Sequence, residues 1–298
     1  MAEAVPHVAT LVSDPARPCI TAALAAELAR LVRAAAPPRV LAGETAVEFA
    51  FAGDAADAGA ALRDRVAGLP VDVVVQPAAG RRKRLLLADM DSTMIEQECI
   101  DELADLVGLK AGVSAITERA MRGEIAFEPA LRERVALLRG LPVAVVDRLL
   151  AERITLTPGG PELLGTMRAN GAYACLVSGG FTLFTGPVGR RLGFDQDRAN
   201  VLLLDGDRLA GTVAEPILGR EAKRDTLVEL RDRLGLQRAD VLAVGDGAND
   251  LSMLGEAGLG VAFRAKPAVA AAAGARIEHG DLTALLFIQG YAAEDFRT

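Results

Sequence analysis

Leu85-Leu86-Leu87-Ala88 is an apolar run with no helical period, and it ends abruptly in Asp89-Met90-Asp91-Ser92-Thr93. Four apolar residues in succession leave no polar face, so the run predicts a strand covered on both sides. Such a strand needs a layer above it and a layer below. The chain repeats the pattern at Ala174-Cys175-Leu176-Val177, Val241-Leu242-Ala243-Val244 and Gly260-Val261-Ala262-Phe263, with helical stretches between. Strands alternating with helices predict a parallel sheet with helices on both faces. In such sheets ligands bind beyond the carboxyl ends of the strands. Three of the runs end in polar motifs: Asp89/Asp91, Ser178-Gly179-Gly180, and Gly245-Asp246-Gly247-Ala248-Asn249-Asp250. All three are expected at one edge.

The residues before Leu85 have a different character. Residues 6–12, 39–51 and 71–75 are strand-like, and Ile20 to Ala34 and Ala55 to Val66 have helical spacing. The order β-α-β(β)-α-β predicts a small α+β domain over residues 1–80, and Pro77 to Arg84 reads as a linker. From Ile100 to Leu150 the chain is mostly helical, an insert of about residues 99–157 closed by Pro158-Gly159-Gly160-Pro161. Val201 to Asp207 predicts a β-hairpin with an Asp-Gly turn. Glu221 to Leu234 predicts an amphipathic helix carrying Lys223, and Ala268 to Ala275 a short one. The expected fold is α/β: a Rossmann-like parallel sheet over residues 81–298, a helical cap after its first strand, and a small N-terminal α+β domain.

Charge and composition exclude several classes. A net charge of −7 argues against a nucleic-acid partner, and the one basic run, Arg81-Arg82-Lys83-Arg84, suits a solvated linker. No apolar stretch approaches the roughly 20 residues that span a bilayer. The start, Met1-Ala2-Glu3-Ala4, is acidic and has no basic n-region or apolar h-region, so no secretion signal is expected. Cys19, Cys99 and Cys175 are far apart and odd in number, which points to reduced thiols in the cytoplasm. His7 and His279, the only histidines, lie away from every polar motif, which argues against a histidine nucleophile or a His-rich zinc site.

What remains is carboxylate chemistry. Alone, D-x-D-S-T is compatible with a turn that caps a helix. Three strand-end motifs together offer carboxylates, a hydroxyl and glycine-rich backbone, with Lys223 as a cation. Carboxylates without His or Cys prefer a hard divalent cation, Mg²⁺ above all, which bridges to substrate phosphate. Phosphoryl transfer fits this set, because its catalysis is mostly positioning and charge neutralisation. There is no G-x-x-x-x-G-K-[ST], no strand-borne G-x-G-x-x-G, and no EF-hand spacing.

In order, Asp89-Met90-Asp91-Ser92-Thr93, Ser178-Gly179-Gly180, Lys223 and Gly245-Asp246-Gly247-Ala248-Asn249-Asp250 resemble the four motifs of the haloacid dehalogenase-like (HAD) phosphatases. The resemblance covers about Leu85 to Leu286. Glu98, Met121, Phe127-Glu128 and Leu131-Arg132-Glu133-Arg134-Val135 in the insert are similar to the phosphoserine phosphatase family in particular. The first 80 residues loosely resemble ACT-like regulatory modules.

The resemblance implies Mg²⁺-dependent hydrolysis of O-phospho-L-serine, the last step of L-serine biosynthesis, through an aspartyl-phosphate. It makes Asp89 the nucleophile and Asp91 the general acid and base. Mg²⁺ would be held by Asp89, the Asp91 carbonyl and Asp246, with Asp250 supporting that shell. Ser178, Gly179 and Lys223 would hold the phosphoryl group, with Asn249 beside it. Glu98 would face the substrate ammonium and Arg134 its carboxylate, while Met121 and Phe127 shape the pocket. Another small phosphomonoester, transfer to an alcohol, or a ligand sensor on an inactive phosphatase fold stay open. The last is disfavoured by the joint presence of Asp89, Asp91, Lys223 and Asp246. A homodimer also stays open.

Overall fold

The computed structural model describes residues 6–121 and 124–298. The first part follows the expected order: β1 (His7–Ser13), α1 (Ala22–Leu31), β2 (Arg39–Ala42), β3 (Ala46–Phe51), α2 (Ala55–Arg65) and β4 (Val71–Pro77). The strands form an antiparallel sheet in the order β2-β3-β1-β4. Leu28 of α1 and Leu62 of α2 pack on Leu11, Phe49 and Phe51 in a cluster of their own. Thr21 and Asp54 cap the two helices with side-chain oxygens, satisfying backbone N–H groups that have no partner within the helix.

The second part opens with β5 (Leu85–Ala88) and continues through the insert: α3 (Cys99–Leu106), α4 (Lys110–Met121), α5 (Phe127–Leu137) and α6 (Ala144–Glu152). Then follow α7 (Gly160–Ala169), β6 (Tyr173–Phe181), α8 (Thr182–Leu192) and β7 (Gln196–Asn200). A hairpin of β8 (Leu202–Asp205) and β9 (Arg208–Val213) precedes α9 (Arg220–Arg233). The chain ends with β10 (Val241–Gly245), α10 (Leu251–Glu256), β11 (Leu259–Phe263), α11 (Pro267–Ala272), β12 (Ala275–Ile277) and α12 (Ala284–Phe287). The sheet is six-stranded and parallel, in the order β12-β11-β10-β5-β6-β7.

Alternation along β5 shows why the run has no polar face. Leu86 and Ala88 belong to the cluster on one side of the sheet, Leu85 and Leu87 to the cluster on the other. β5 sits between β6 and β10, so the chain leaves it first to one side and later to the other. This reversal opens a crevice at its carboxyl end.

Four details differ from the sequence reading. β7 was missed, because Gln196-Asp197-Arg198-Ala199-Asn200 is a polar edge strand with no apolar run. β12 was missed because it is short and lies where the Ala-rich helix was extended to Ala275. β6 does not stop at Val177: it runs to Phe181, with a register shift against β7 between those residues. In the hairpin, Asp205 pairs with Arg208, so Gly206-Asp207 forms the turn and Gly206 takes the positive φ of 62°.

The hairpin is tied to the cap: the Gly140 N–H donates to the Leu209 carbonyl at 2.8 Å and the Leu209 N–H to the Leu141 carbonyl at 2.9 Å. The N-terminal sheet docks through Asp72. Its buried carboxylate accepts the N–H groups of Glu278, His279 and Gly280 at 2.8, 3.0 and 2.8 Å. Glu48 of β3 takes Arg81 at 2.6 Å and Arg39 at 2.8 Å.

Candidate active site

Asp89 follows the last residue of β5, and its N–H still donates to the Val244 carbonyl of β10 at 3.0 Å. The chain then turns over Met90–Met94, with Ser92 at a left-handed φ of 53°. Asp89 and Asp91 therefore come together through a turn and not through the two-residue repeat of a strand. The turn sends Asp91 to two partners. Its Oδ1 accepts the Cys99 N–H at the start of α3 (2.9 Å), and its Oδ2 accepts the Ser178 hydroxyl at 3.4 Å. Ser92 donates to Glu98 Oε1 at 2.7 Å, holding the carboxylate at the mouth of the cap.

The irregular stretch of β6 brings Ser178 and Gly179 into the same space. The Gly180 N–H donates to Ser178 Oγ at 2.9 Å. A side chain at Gly180 would meet Asp91 Oδ2 and Ser178 Oγ, each 3.1 Å from its Cβ. Asn200 fastens this stretch from below. Its amide donates to the carbonyls of Gly179 (2.9 Å) and Leu218 (3.2 Å) and accepts the Leu218 N–H at 2.7 Å. Asn200 belongs to the missed strand β7, and nothing in the sequence marked it as part of the site.

Lys223 is 1% exposed and lies between Asp89 (2.8 Å) and Asp250 (2.7 Å). Burial pulls its ammonium down, but the two carboxylates outweigh this and hold it above its ordinary value. The other oxygen of Asp250 accepts the Gly247 N–H at 3.0 Å. Burial pushes Asp89 well up, against the pull of Lys223. Burial and Asp250 push Asp246 up to about 6. One oxygen each from Asp89, Asp246 and Asp250 lie within 4.8 Å of one another. These are all hard oxygen donors gathered at a cost in repulsion, and a divalent cation fits them.

A cleft of about 510 Å³ opens over this cluster, and Asp89, Asp91, Ser178, Gly179, Asp246 and Asn249 form its floor. The cap supplies Glu98, Phe127 and Arg134 to its walls, as well as Leu131 from the same motif as Arg134, and Thr117, which the sequence had not singled out. Phe127 reaches over Gly179, 3.6 Å from where a side chain would start. Met121 closes α4, and its side chain lies outside the described residues. Burial, then Asp91, raise Glu98 to about 7. Arg134 is half-buried and desolvated, which lowers it. Its Nε donates to the Ala130 carbonyl of its own helix at 3.3 Å, and it has no carboxylate partner within 4.0 Å among the described residues. Lys223 and Asp250 lie behind the floor.

The family model for haloacid dehalogenase-like hydrolases matches residues 86–255, from the strand below Asp89 past the cluster at Asp246 and Asp250. The chain belongs to this family. A phosphoserine phosphatase of Albidiferax ferrireducens is 47% identical over 208 residues, 68% of this chain and 88% of that protein. One of Streptomyces coelicolor is 39% identical over 296 residues, 96% of this chain and 71% of that protein. A solved structure from Vibrio cholerae, described as a probable phosphoserine phosphatase, superposes with a TM-score of 0.79 at 30% identity. It covers 98% of this chain and 88% of its own. This HAD-like chain is accordingly a phosphatase enzyme. Among its described residues no helix is long and apolar enough to cross a membrane.

Proposed function

We propose that the enzyme hydrolyses O-phospho-L-serine to L-serine and phosphate, the closing step of L-serine synthesis, through a phosphorylated Asp89. The observation that carries this reading is the pairing of functions in one cleft. A carboxylate cluster backed by Lys223 lies at the floor, and Glu98 and Arg134 project from the cap above it. A phosphomonoester needs only the floor. The wall residues answer to an ammonium and a carboxylate, the two groups that distinguish phosphoserine. Arg134 is desolvated and has no ion-pair partner within 4.0 Å among the described residues, which suits a planar fork reserved for a substrate carboxylate.

In the proposed chemistry an Asp89 oxygen attacks phosphorus and the bond to the seryl oxygen breaks. Burial pushes Asp91 up, which favours its acid form, and in that form it donates a proton to the departing oxygen. As a carboxylate, Asp91 then takes a proton from the water that attacks the phosphorylated Asp89, and phosphate leaves. Ser178, the Gly179 backbone, Asn249 and Lys223 hold the phosphoryl oxygens. Asp89, Asp246 and the Asp91 carbonyl would hold Mg²⁺. Asp250 supports them from behind, since both its oxygens already accept hydrogen bonds. Bound Mg²⁺ supplies positive charge to the phosphoryl oxygens.

The same reading divides the chain into an ACT-like domain at 1–80 and a catalytic domain at 81–298 with its cap at about 99–157. The separate apolar cluster of the first sheet supports that division. Three free cysteines support a reducing, cytoplasmic setting. The test is phosphate release from a panel of phosphomonoesters with Mg²⁺, after chelation, and after Mg²⁺ is restored. Phosphoserine should lead the panel and chelation should stop turnover. Equal rates across the panel, or full activity in excess chelator, would remove the reading.

A further inference from the structure

The chain has only four lysines. Three have partners: Lys83 donates to the carbonyls of Gly80 and Ala239, Lys110 pairs with Asp105, and Lys223 is held by Asp89 and Asp250. Lys266 is the fourth. It is exposed, it lines the active-site cleft, and its ammonium has no hydrogen-bond or ion-pair partner among the described residues. Its structural work is done by its backbone. The Lys266 carbonyl accepts the N–H groups of Val269 and Ala270 at the start of α11, and any residue could supply that carbonyl.

The charge around it gives the free ammonium a purpose. Among the described residues, Asp89, Asp91, Glu98, Asp101 and Asp246 line the cleft, against the cations Arg134 and Lys266. Lys223 lies beneath, where Asp89 and Asp250 offset its charge before a substrate arrives. A phosphate ester carrying close to two negative charges must approach this acidic cleft, and like charges oppose it. We propose that Lys266 is the phosphate-attracting residue at the cleft mouth, one that sets the rate and affinity with which an anionic substrate is admitted. The proposal rests on the phosphomonoester reading. It adds a specificity residue that the four strand-end and helix motifs do not contain.

The test is kcat/KM for phosphoserine at fixed Mg²⁺ across a salt series, for the full chain and for Lys266→Ala, Lys266→Arg and Lys266→Glu. A parallel titration follows the binding of inorganic phosphate. At low salt, Lys266→Ala should lower kcat/KM about 3- to 10-fold, with the glutamate variant lower still and the arginine variant restored. The gap should close towards 1 M salt, where the screening length is about 3 Å. Phosphate affinity should fall in the same order. A loss in Lys266→Ala that persists at high salt would mark a packing role and overturn the proposal, as would no loss at low salt. If the unaltered enzyme releases no phosphate from phosphoserine, the substrate reading falls. The phosphate titration still decides Lys266: unchanged affinity in the alanine and glutamate variants rejects it.

Discussion

Replacing Arg134 with alanine separates a substrate contact from a structural one. Arg134 is half-buried on α5, its Nε is bound to its own helix, and no described carboxylate pairs with it. Truncation therefore strands no buried acid, and the usual cost of breaking an ion pair does not arise. Stability should change by less than about 1 kcal/mol, read as a small shift in Tm. Substrate binding is different. A desolvated charge-assisted hydrogen bond contributes about 1.5–3 kcal/mol, and the two bonds of a forked contact overlap in their effect. A loss of about 2–4 kcal/mol is expected, which is about 30- to 700-fold in kcat/KM for phosphoserine. The control is phosphoethanolamine, which keeps the ammonium and phosphate but lacks the carboxylate. Its kcat/KM should move little. Arg134→Lys should recover poorly, since an ammonium cannot grip two oxygens in one plane. Equal slowing of both substrates, or a large fall in Tm, would refute the reasoning and leave Arg134 as a structural part of the cap.

Asp89→Asn should keep the fold, because Lys223 retains Asp250, while activity falls about a thousandfold or more; beryllofluoride should bind the unaltered enzyme and not the variant, as read by mass or fluorine resonance. Glu98 is ionised above about pH 7 and protonated below it, so an ammonium is held best above that value. KM for phosphoserine should therefore rise as pH falls through 7 more steeply than in Glu98→Gln, and parallel profiles would show that Glu98 does not meet the ammonium. A chain beginning near Arg81 should fold and hydrolyse phosphoserine, since no described residue of the first sheet lines the cleft. It should melt lower, because Val12, Leu41 and Val74 of the removed part pack in the catalytic core's own cluster; a folded but inert product would show that the first domain completes the site.

The sheet was legible because burial on both faces leaves a mark on the sequence. Leu85 to Ala88 and Val241 to Val244 could not be exposed, and strand period with helical spacing between them fixed a parallel arrangement. The floor of the site was legible for a related reason. Asp89, Ser178 and Asp246 each follow an apolar run, so their place at a strand end could be counted along the chain. The small first sheet was equally readable from strand-like runs with helical spacing between them. β7 was not, since a polar edge strand is held by pairing to β6 and carries no burial signal.

Only the tertiary structure decided which groups meet. The turn with Ser92 at positive φ carries Asp91 to Cys99 and Ser178, which are 8 and 87 residues away. Burial then sets the charges: Lys223 is fixed by two carboxylates from different elements, and Glu98 is raised by desolvation that no local sequence encodes. Asn200, Thr117 and Lys266 gained their places through packing alone, each brought by an element whose own sequence says nothing about the site. Residue types set the available chemistry, while distance and desolvation, which depend on the whole fold, set which atoms can use it.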